Sequence, residues 1–283
     1  MFEGANLVTV AKGAPAGTTF CIHAGTYTIG APVPVEAGDR FIGEGRDSVF
    51  VTTTVARQVF RGTPAPGAVL EGMDISGAQA SSSCKVQCGR GIFISGESVT
   101  LRNLYVHHNE NTGVGGMGRG GLIESSELAF NGSSWLVGCC AGGVKAAAQL
   151  TVANSYAHHN IGSGVWLDVC GTGLVVQNST LEWNTRSGVR YEHSRDCPGL
   201  ATITGNVIRN NNTSNHNDSA GVRVNSAPNA DIGFNTFGGN LRAGVSVGGT
   251  RGPVTGTVIH DNVMNGDAVR GCTLTGVTCF NNV

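Results

Sequence analysis

Charge is scarce in this chain. Lysine, arginine, aspartate and glutamate together make up 13% of its 283 residues, and the formal net charge is −1. So sparse a charge supplies no basic stripe for wrapping nucleic acid or for lying on an anionic membrane, and any binding must be local. Long apolar runs are missing too: nothing approaches the ~20 residues that cross a bilayer. The start, Met1-Phe2-Glu3-Gly4, has neither the basic nor the apolar stretch of a signal peptide, which leaves a chain already trimmed to its mature form or one that is not exported. Lys, Glu, Leu and Ala at helical spacing are nearly absent, while glycine takes 44 of 283 positions, well above an ordinary share of about 7%. A mainly helical fold is excluded. No composition shift or Pro/Ser linker divides the chain, so residues 1–283 read as one elongated domain.

Cys-x-x-Cys spacings, the usual mark of structural zinc, are also lacking, yet there are nine cysteines. Disulfides in an oxidising, extracellular compartment are the natural reading. Cys84 with Cys88 and Cys272 with Cys279 would close short loops, and Cys170 and Cys197 sit at equivalent places on adjacent repeats and could bridge them. Cys139, Cys140 and Cys21 are left over, and an odd count leaves at least one thiol free or intermolecular.

What is present is a repeated phrase: Asn, three residues, Gly-Val. It runs from Asn109 to Gly113-Val114, Asn160 to Gly164-Val165, Asn184 to Gly188-Val189 and Asn240 to Gly244-Val245. Including two interrupted copies, Asn109, Asn131, Asn160, Asn184, Asn211 and Asn240 form a column with spacings of 22, 29, 24, 27 and 29 residues. Such periods mark a solenoid, in which equivalent residues stack. Three residues before each Asn stands Val106, Leu128, Ala157, Leu181, Ile208 or Phe237, an apolar column expected to face inward from a short strand. The Asn side chains then satisfy buried backbone at a turn, and the following Gly permits a tight bend. The pairs His107-His108 and His158-His159 share this register. Ala129-Phe130 intervenes between them, so they read as stacked turn histidines rather than metal ligands.

These repeats resemble the right-handed parallel β-helix of the pectate-lyase-like superfamily, over roughly residues 90–266. The opening TTFCIHAGTYTI and DRFIGEGRDSVFVTTT is similar to the first coils of secreted β-helix proteins, although the helical cap usual at that end is not visible. The resemblance implies an all-β, single-stranded right-handed solenoid with about nine to eleven coils. It leaves the chemistry open, since the scaffold carries lyases, hydrolases, epimerases and non-catalytic adhesins. The Asp-Pro-His sequence of alginate epimerases and the paired Asp-Asp of polygalacturonases are absent. Phrases such as GVWLDV and GVRYEHS are similar to those of secreted bacterial β-helix proteins of unassigned activity.

Positions after Gly-Val should point outward, because the Val faces the core. The first such column reads Gly115, Lys145, Trp166, Arg190, Arg223, Ser246; the second reads Met117, Ala147, Asp168, Glu192, Asn225, Gly248. Lys145, Trp166, Asp168, Arg190, Glu192, Arg223 and Asn225 thus form one exposed patch. Two insertions, Gly132–Gly142 carrying Trp135 and Asn212–Ala220 carrying His216, open onto its edge. Trp166, Trp183 or Trp135 could stack on a sugar, and the cations could pair with uronate carboxylates.

Three reactions fit. In β-elimination, the preferred one, Lys145 or Arg190 is the base, as the resemblance implies. In carbon-5 epimerisation, His193 or Tyr191 returns the proton. In hydrolysis, Asp168 and Glu192 act as a pair of unequal carboxylates. No cofactor is required, although a calcium ion could bridge a uronate to Asp168, Glu192 and Asn225. A non-catalytic carbohydrate-binding protein and a plain surface ion-pair ladder are the alternatives. The expected partner is a polysaccharide, with no nucleic acid and no membrane.

Overall fold

The computed structural model describes residues 6–84, 87–138, 140–169, 173–192 and 199–283. Their strands form three parallel sheets of eleven, nine and ten members. The first sheet runs from Thr19–Ile22 to Val277–Phe280, the second from Gly25–Thr28 to Thr236–Gly238, and the third from Val33–Pro34 to Val269–Arg270. Up to Thr236–Gly238 each coil contributes one strand to each sheet in turn, so strand n pairs with strand n+3; beyond it the second sheet ends and the step falls to two, with every pair parallel. This is a parallel β-helix, with the number of coils that the repeats imply. One continuous apolar cluster fills its interior from Leu7 to Met264. The column Val106, Leu128, Ala157, Leu181, Ile208 and Phe237 is wholly inside.

The first end is capped by a helix after all, Leu7–Gly13, which buries Leu7 and Ala11. Asn6 caps it by accepting a hydrogen bond from the Thr9 N–H at 3.1 Å. Seven residues give less than two full turns of periodicity, too little to show in the sequence. Disulfides join Cys84 to Cys88 and Cys272 to Cys279 as the spacing suggests. Cys140, left without an assigned partner in the sequence, is also disulfide-bonded. Cys139, Cys170 and Cys197 lie outside the described residues.

The Asn column forms a hydrogen-bonded ladder. Each Asn Oδ1 accepts from the backbone N–H and the side-chain amide of the Asn one coil earlier, from Asn109 through Asn131, Asn160, Asn184 and Asn211 to Asn240. Asp267 ends the series by accepting from Asn240. A second ladder, unread in the sequence, runs through Ser126, Ser155, Ser179, Asn206, Asn235 and Asn262 at the bend between the first and second sheets.

The glycine after the Asn is not there for a bend. The left-handed residues fall just before the ladder instead, at His108, Phe130, His159 and Trp183 with φ of 50–55°. At Gly164 a Cβ would lie 2.8 Å from the Gly188 carbonyl oxygen and 3.0 Å from Asn184 Nδ2, so close approach of the next coil requires the glycine.

The left-handed positions stack their rings outward, His108 on Phe130, Phe130 on His159 and His159 on Trp183. Trp183 therefore belongs to this turn, not to the charged face. Burial pushes His108 and His158 below the ordinary 6.5, in His158 despite a 3.0 Å contact with Glu127. The unfolded chain then binds protons that the folded chain refuses, so these groups lower stability as pH falls through the window beneath 6.5. His260 works oppositely: Asp261 and Asp231 raise it, so its contribution is present at low pH and is lost as pH rises through its folded value. We expect the urea midpoint to fall between about pH 6.5 and 5. His158→Gln should flatten that fall, and an unchanged slope would refute the assignment.

Candidate functional site

The third sheet places the outward residues in the order the repeats dictate. Lys145 pairs with Trp166, Trp166 with Arg190 and Arg190 with Arg223, while Asp168 pairs with Glu192 and Glu192 with Asn225. Just before the first outward column, Val144, Val165, Val189 and Val222 are fully buried. Tyr191 shares that inward parity. It lies in the core and donates its hydroxyl to the Pro228 carbonyl at 3.2 Å, so it cannot touch substrate or return a proton to one. Position 191 falls between two outward residues, and alternation alone assigns it inside. His193 lies outside the described residues.

The patch is more internally paired than an open docking face. Lys145 Nζ sits 3.0 Å from Asp168 Oδ2 and 3.5 Å from the centre of the Trp166 ring. Arg190 approaches the same ring at 5.5 Å. Trp166 is consequently only 8% exposed and is a floor beneath two cations rather than an open stacking platform. Arg190 Nη2 binds Glu192 at 2.5 Å and Asp218 at 2.6 Å. Arg223 Nε reaches the other oxygen of Asp218 at 2.7 Å. Asn225 donates to Glu192 at 3.1 Å. Asp168 and Glu192, adjacent in register, are thus each held by a separate cation.

Asp218 is the residue that joins the insertion to the sheet, and reading the sequence overlooked it in favour of His216 two positions earlier. A carboxylate among arginines spaced along a column is the signal that would have found it. Both insertions border one cleft of about 580 Å³, which Val137 and Gly138 enter from the first and His216 and Asp218 from the second. Trp135, 47% exposed in the first insertion, is not among its lining residues. The floor is Trp166, Arg190, Glu192, Arg223 and Asn225, and Arg186 and Arg251 complete the wall. Among the described residues, four arginines and two carboxylates line the cleft. Lys145 and Asp168 lie beyond this cleft, in a neighbouring recess of about 200 Å³ with Arg90.

The titrating groups fall into distinct roles. Burial pulls Arg190 down, but its bonds to Glu192 and Asp218 outweigh this and hold it above its ordinary value, which removes it as a base. Burial raises Asp218, and Arg190 with Arg223 reverses that and keeps the carboxyl below its usual range. Burial pushes the Lys145 ammonium down, with Asp168 opposing. Burial and then Arg186 lower His216. The His216 Nδ1 accepts the Asp218 N–H at 3.1 Å, which leaves the proton of the neutral ring on Nε2. Arg186, unnoticed in the sequence, makes no ion pair among the described residues, and it is lowered by burial and by Arg190. Two buried donors on the floor, Trp166 Nε1 and Arg190 Nε, have no hydrogen-bond partner among the described residues.

Residues 67–214 and 143–283 match the family model described as the right handed beta helix region. The chain belongs to the right-handed β-helix family. No curated protein matches it. Among solved structures, the β-helix is similar to pectate lyase Pel9A, at 15% identity and a TM-score of 0.60, over 97% of this chain and 73% of the lyase. It is similar to the Dettilon tailspike protein, at 15% identity and a TM-score of 0.62, over 94% of this chain and 59% of the tailspike. The catalytic unit of a GH87 α-1,3-glucanase from Streptomyces thermodiastaticus strain HF3-3 gives 15% identity and a TM-score of 0.58, over 92% of this chain and 49% of the glucanase. At such identity the likeness is one of fold.

Among the described residues no group of three or more His, Cys, Asp or Glu side chains is arranged to hold a metal ion. The carboxylates suggested for calcium instead face Lys145 and Arg190. No helix among the described residues is long and apolar enough to cross a membrane.

Proposed function

We propose that this β-helix protein is a secreted carbohydrate-active enzyme that binds an acidic, uronate-containing polysaccharide along its third sheet and cleaves it by β-elimination. The observation that carries the reading is Arg186, which lines the cleft and whose charge no ion pair among the described residues offsets. A uronate carboxylate supplies the missing anion, in the bidentate geometry that guanidinium favours. Sugar or carboxylate oxygens would also satisfy Trp166 Nε1 and Arg190 Nε. The fold's likeness to a pectate lyase supports a polysaccharide ligand. The disulfides fit an extracellular setting.

In the elimination, a carboxylate neutralised by Arg186 and Arg190 makes the carbon-5 hydrogen more acidic. Lys145, lowered by burial, takes that proton. The C–H electrons form the double bond between carbons 4 and 5, and the bond from carbon 4 to the glycosidic oxygen breaks. That oxygen collects a proton from water, and the hydroxide left behind takes back the proton held on Lys145. Lys145 and Arg190 converge on one indole ring, so base and carboxylate partner come within reach of one sugar. Hydrolysis is less well served, because it needs a carboxylic acid that keeps its proton. Asp218 is held below its usual range, and Asp168 and Glu192 are each bound to a cation.

A second reading, binding without turnover, is favoured by one observation: Lys145 with Asp168 and Arg190 with Glu192 already close two internal ion pairs. Ultraviolet absorbance decides between the two. Incubation with alginate, pectate, hyaluronan, chondroitin and heparan, each with and without calcium, should raise absorbance from unsaturated uronate on at least one of them. Binding with no rise, no new reducing ends and no change in epimer ratio would leave a binding protein.

A further inference from the structure

A second concavity lies on another side of the β-helix, at the bend between the first and second sheets. Along that bend Asn103, Ser125, Asn154 and Asn178 form one column, one residue per coil, each with a left-handed backbone at φ of 49–50°. They line a groove of about 510 Å³. Its end wall comes from farther off. These coils turn the bend in two residues, as between Thr100–Arg102 and Tyr105–His107, but residues 44–48 make a longer loop between Arg40–Gly43 and Val49–Thr52. Arg46 reaches from that loop past the next two coils and meets Glu127 of the third at 3.4 Å.

The four column residues are exposed, and their side chains have no hydrogen-bond partner among the described residues. A left-handed backbone favours asparagine, but it does not demand an unengaged amide. Farther along the same column stand Gly205 and Phe234, and after them Asp261 and Asn281, whose side chains bond to each other at 3.0 Å. The unengaged amides of this column therefore coincide with the groove. A primary amide sets donors beside an acceptor, which suits neighbouring hydroxyls on a sugar. Tyr156 gives the groove an apolar surface, because its hydroxyl is already donated to Glu182 and only the ring is left to a ligand. The one cation and the one carboxylate of the lining, Arg46 and Glu127, are paired with each other, so charge selects nothing here. We propose that this groove binds a neutral glycan chain, laid along the axis with its hydroxyls on the amide column. From Asn103 to Asn178 is three coil steps, about 14 Å at ~4.8 Å per strand, room for a few sugar rings. The groove stands apart from the cleft of the third sheet and does not depend on what that cleft binds.

The test is calorimetric titration of the whole protein with cellohexaose, mannohexaose, xylohexaose and hexagalacturonate, in which at least one neutral hexasaccharide should bind. Asn154→Gly combined with Asn178→Gly removes two amides and keeps the turns, since glycine adopts a left-handed backbone freely. That double variant should bind the neutral chain about tenfold or more weakly, the loss of several neutral hydrogen bonds, with the urea midpoint of wild type. Its affinity for hexagalacturonate should equal that of wild type. Arg186→Gln, in the cleft, should leave neutral binding intact. Equal neutral affinity in wild type and the double variant would overturn the groove, and so would failure of every neutral hexasaccharide to bind. A loss accompanied by a lower midpoint would report a disturbed turn and would count against it equally. Loss of neutral binding in Arg186→Gln would move the sugar to the cleft, and an equal loss for hexagalacturonate in the double variant would remove the preference for a neutral chain.

Discussion

Asn184→Ala should lower the unfolding free energy by about 3–5 kcal/mol, the sum expected when several buried hydrogen-bonding groups lose a partner at about 1–3 kcal/mol each. Asn184 is fully buried. Its Oδ1 accepts from the Asn160 backbone at 3.2 Å and from Asn160 Nδ2 at 2.9 Å. Its Nδ2 donates to the Ala157 carbonyl at 3.0 Å and to Asn211 Oδ1 at 2.9 Å. Alanine leaves all of these short of a bond in a turn that water does not reach. Urea unfolding monitored by far-ultraviolet circular dichroism should show a midpoint lower by about 1 M. Ser179→Ala, in the second ladder, removes fewer bonds and should cost about 1–2 kcal/mol. A midpoint for Asn184→Ala within error of wild type would mean that the ladder is decoration and that packing alone sets the coil.

The ladder also shows why so much of the fold was legible. A solenoid repeats one local solution, and each repeat of Asn-x-x-x-Gly-Val states the same three requirements: a buried amide, a close approach and an inward Val. Reading six copies fixed the register of the third sheet, and with it the pairing of Lys145, Trp166, Arg190 and Arg223. The Ser126 to Asn262 ladder escaped notice because three serines give way to three asparagines along it, so no single letter forms the column. The glycine was assigned the wrong reason. Its backbone is ordinary, and the constraint comes from the neighbouring coil, which a single repeat read alone does not contain.

The site was legible to the level of columns and no further. Outwardness follows from alternation, but whether an outward side chain is open or covered depends on what its neighbours do. Trp166 points out and is still buried, because Lys145 and Arg190 close over it. Tyr191, offered by the sequence as a proton donor for epimerisation, has the parity of an inward residue and lies inside. Arg90, Arg186 and Asp218 were missed since each reaches the site from outside the two columns: one across a glycine, one from the turn before the strand, one from an insertion. Long side chains cross between columns in a way that strand periodicity does not record.

Lys145→Met separates catalysis from binding, with an expected fall in kcat of about 10²–10⁴-fold, the usual contribution of a positioned base. Methionine keeps the unbranched packing against Trp166 and removes only the amine. KM should stay within a few fold, because Arg186 and Arg190 hold the carboxylate. Arg186→Gln should do the reverse, raising KM more than it lowers kcat. The pH profile carries the same signature. Lys145 acts only when deprotonated, and burial pulls it below its ordinary 10.5, so the rate should rise toward alkaline pH with an apparent pKa beneath that value. Asp168→Asn removes the partner that opposes this shift. The alkaline limb should therefore move to lower pH, a displacement that a merely structural ion pair would not produce. If Lys145→Met retains full turnover, the lysine belongs to the ion-pair ladder, and the base must be sought among groups facing the cleft, with His216 first to be replaced.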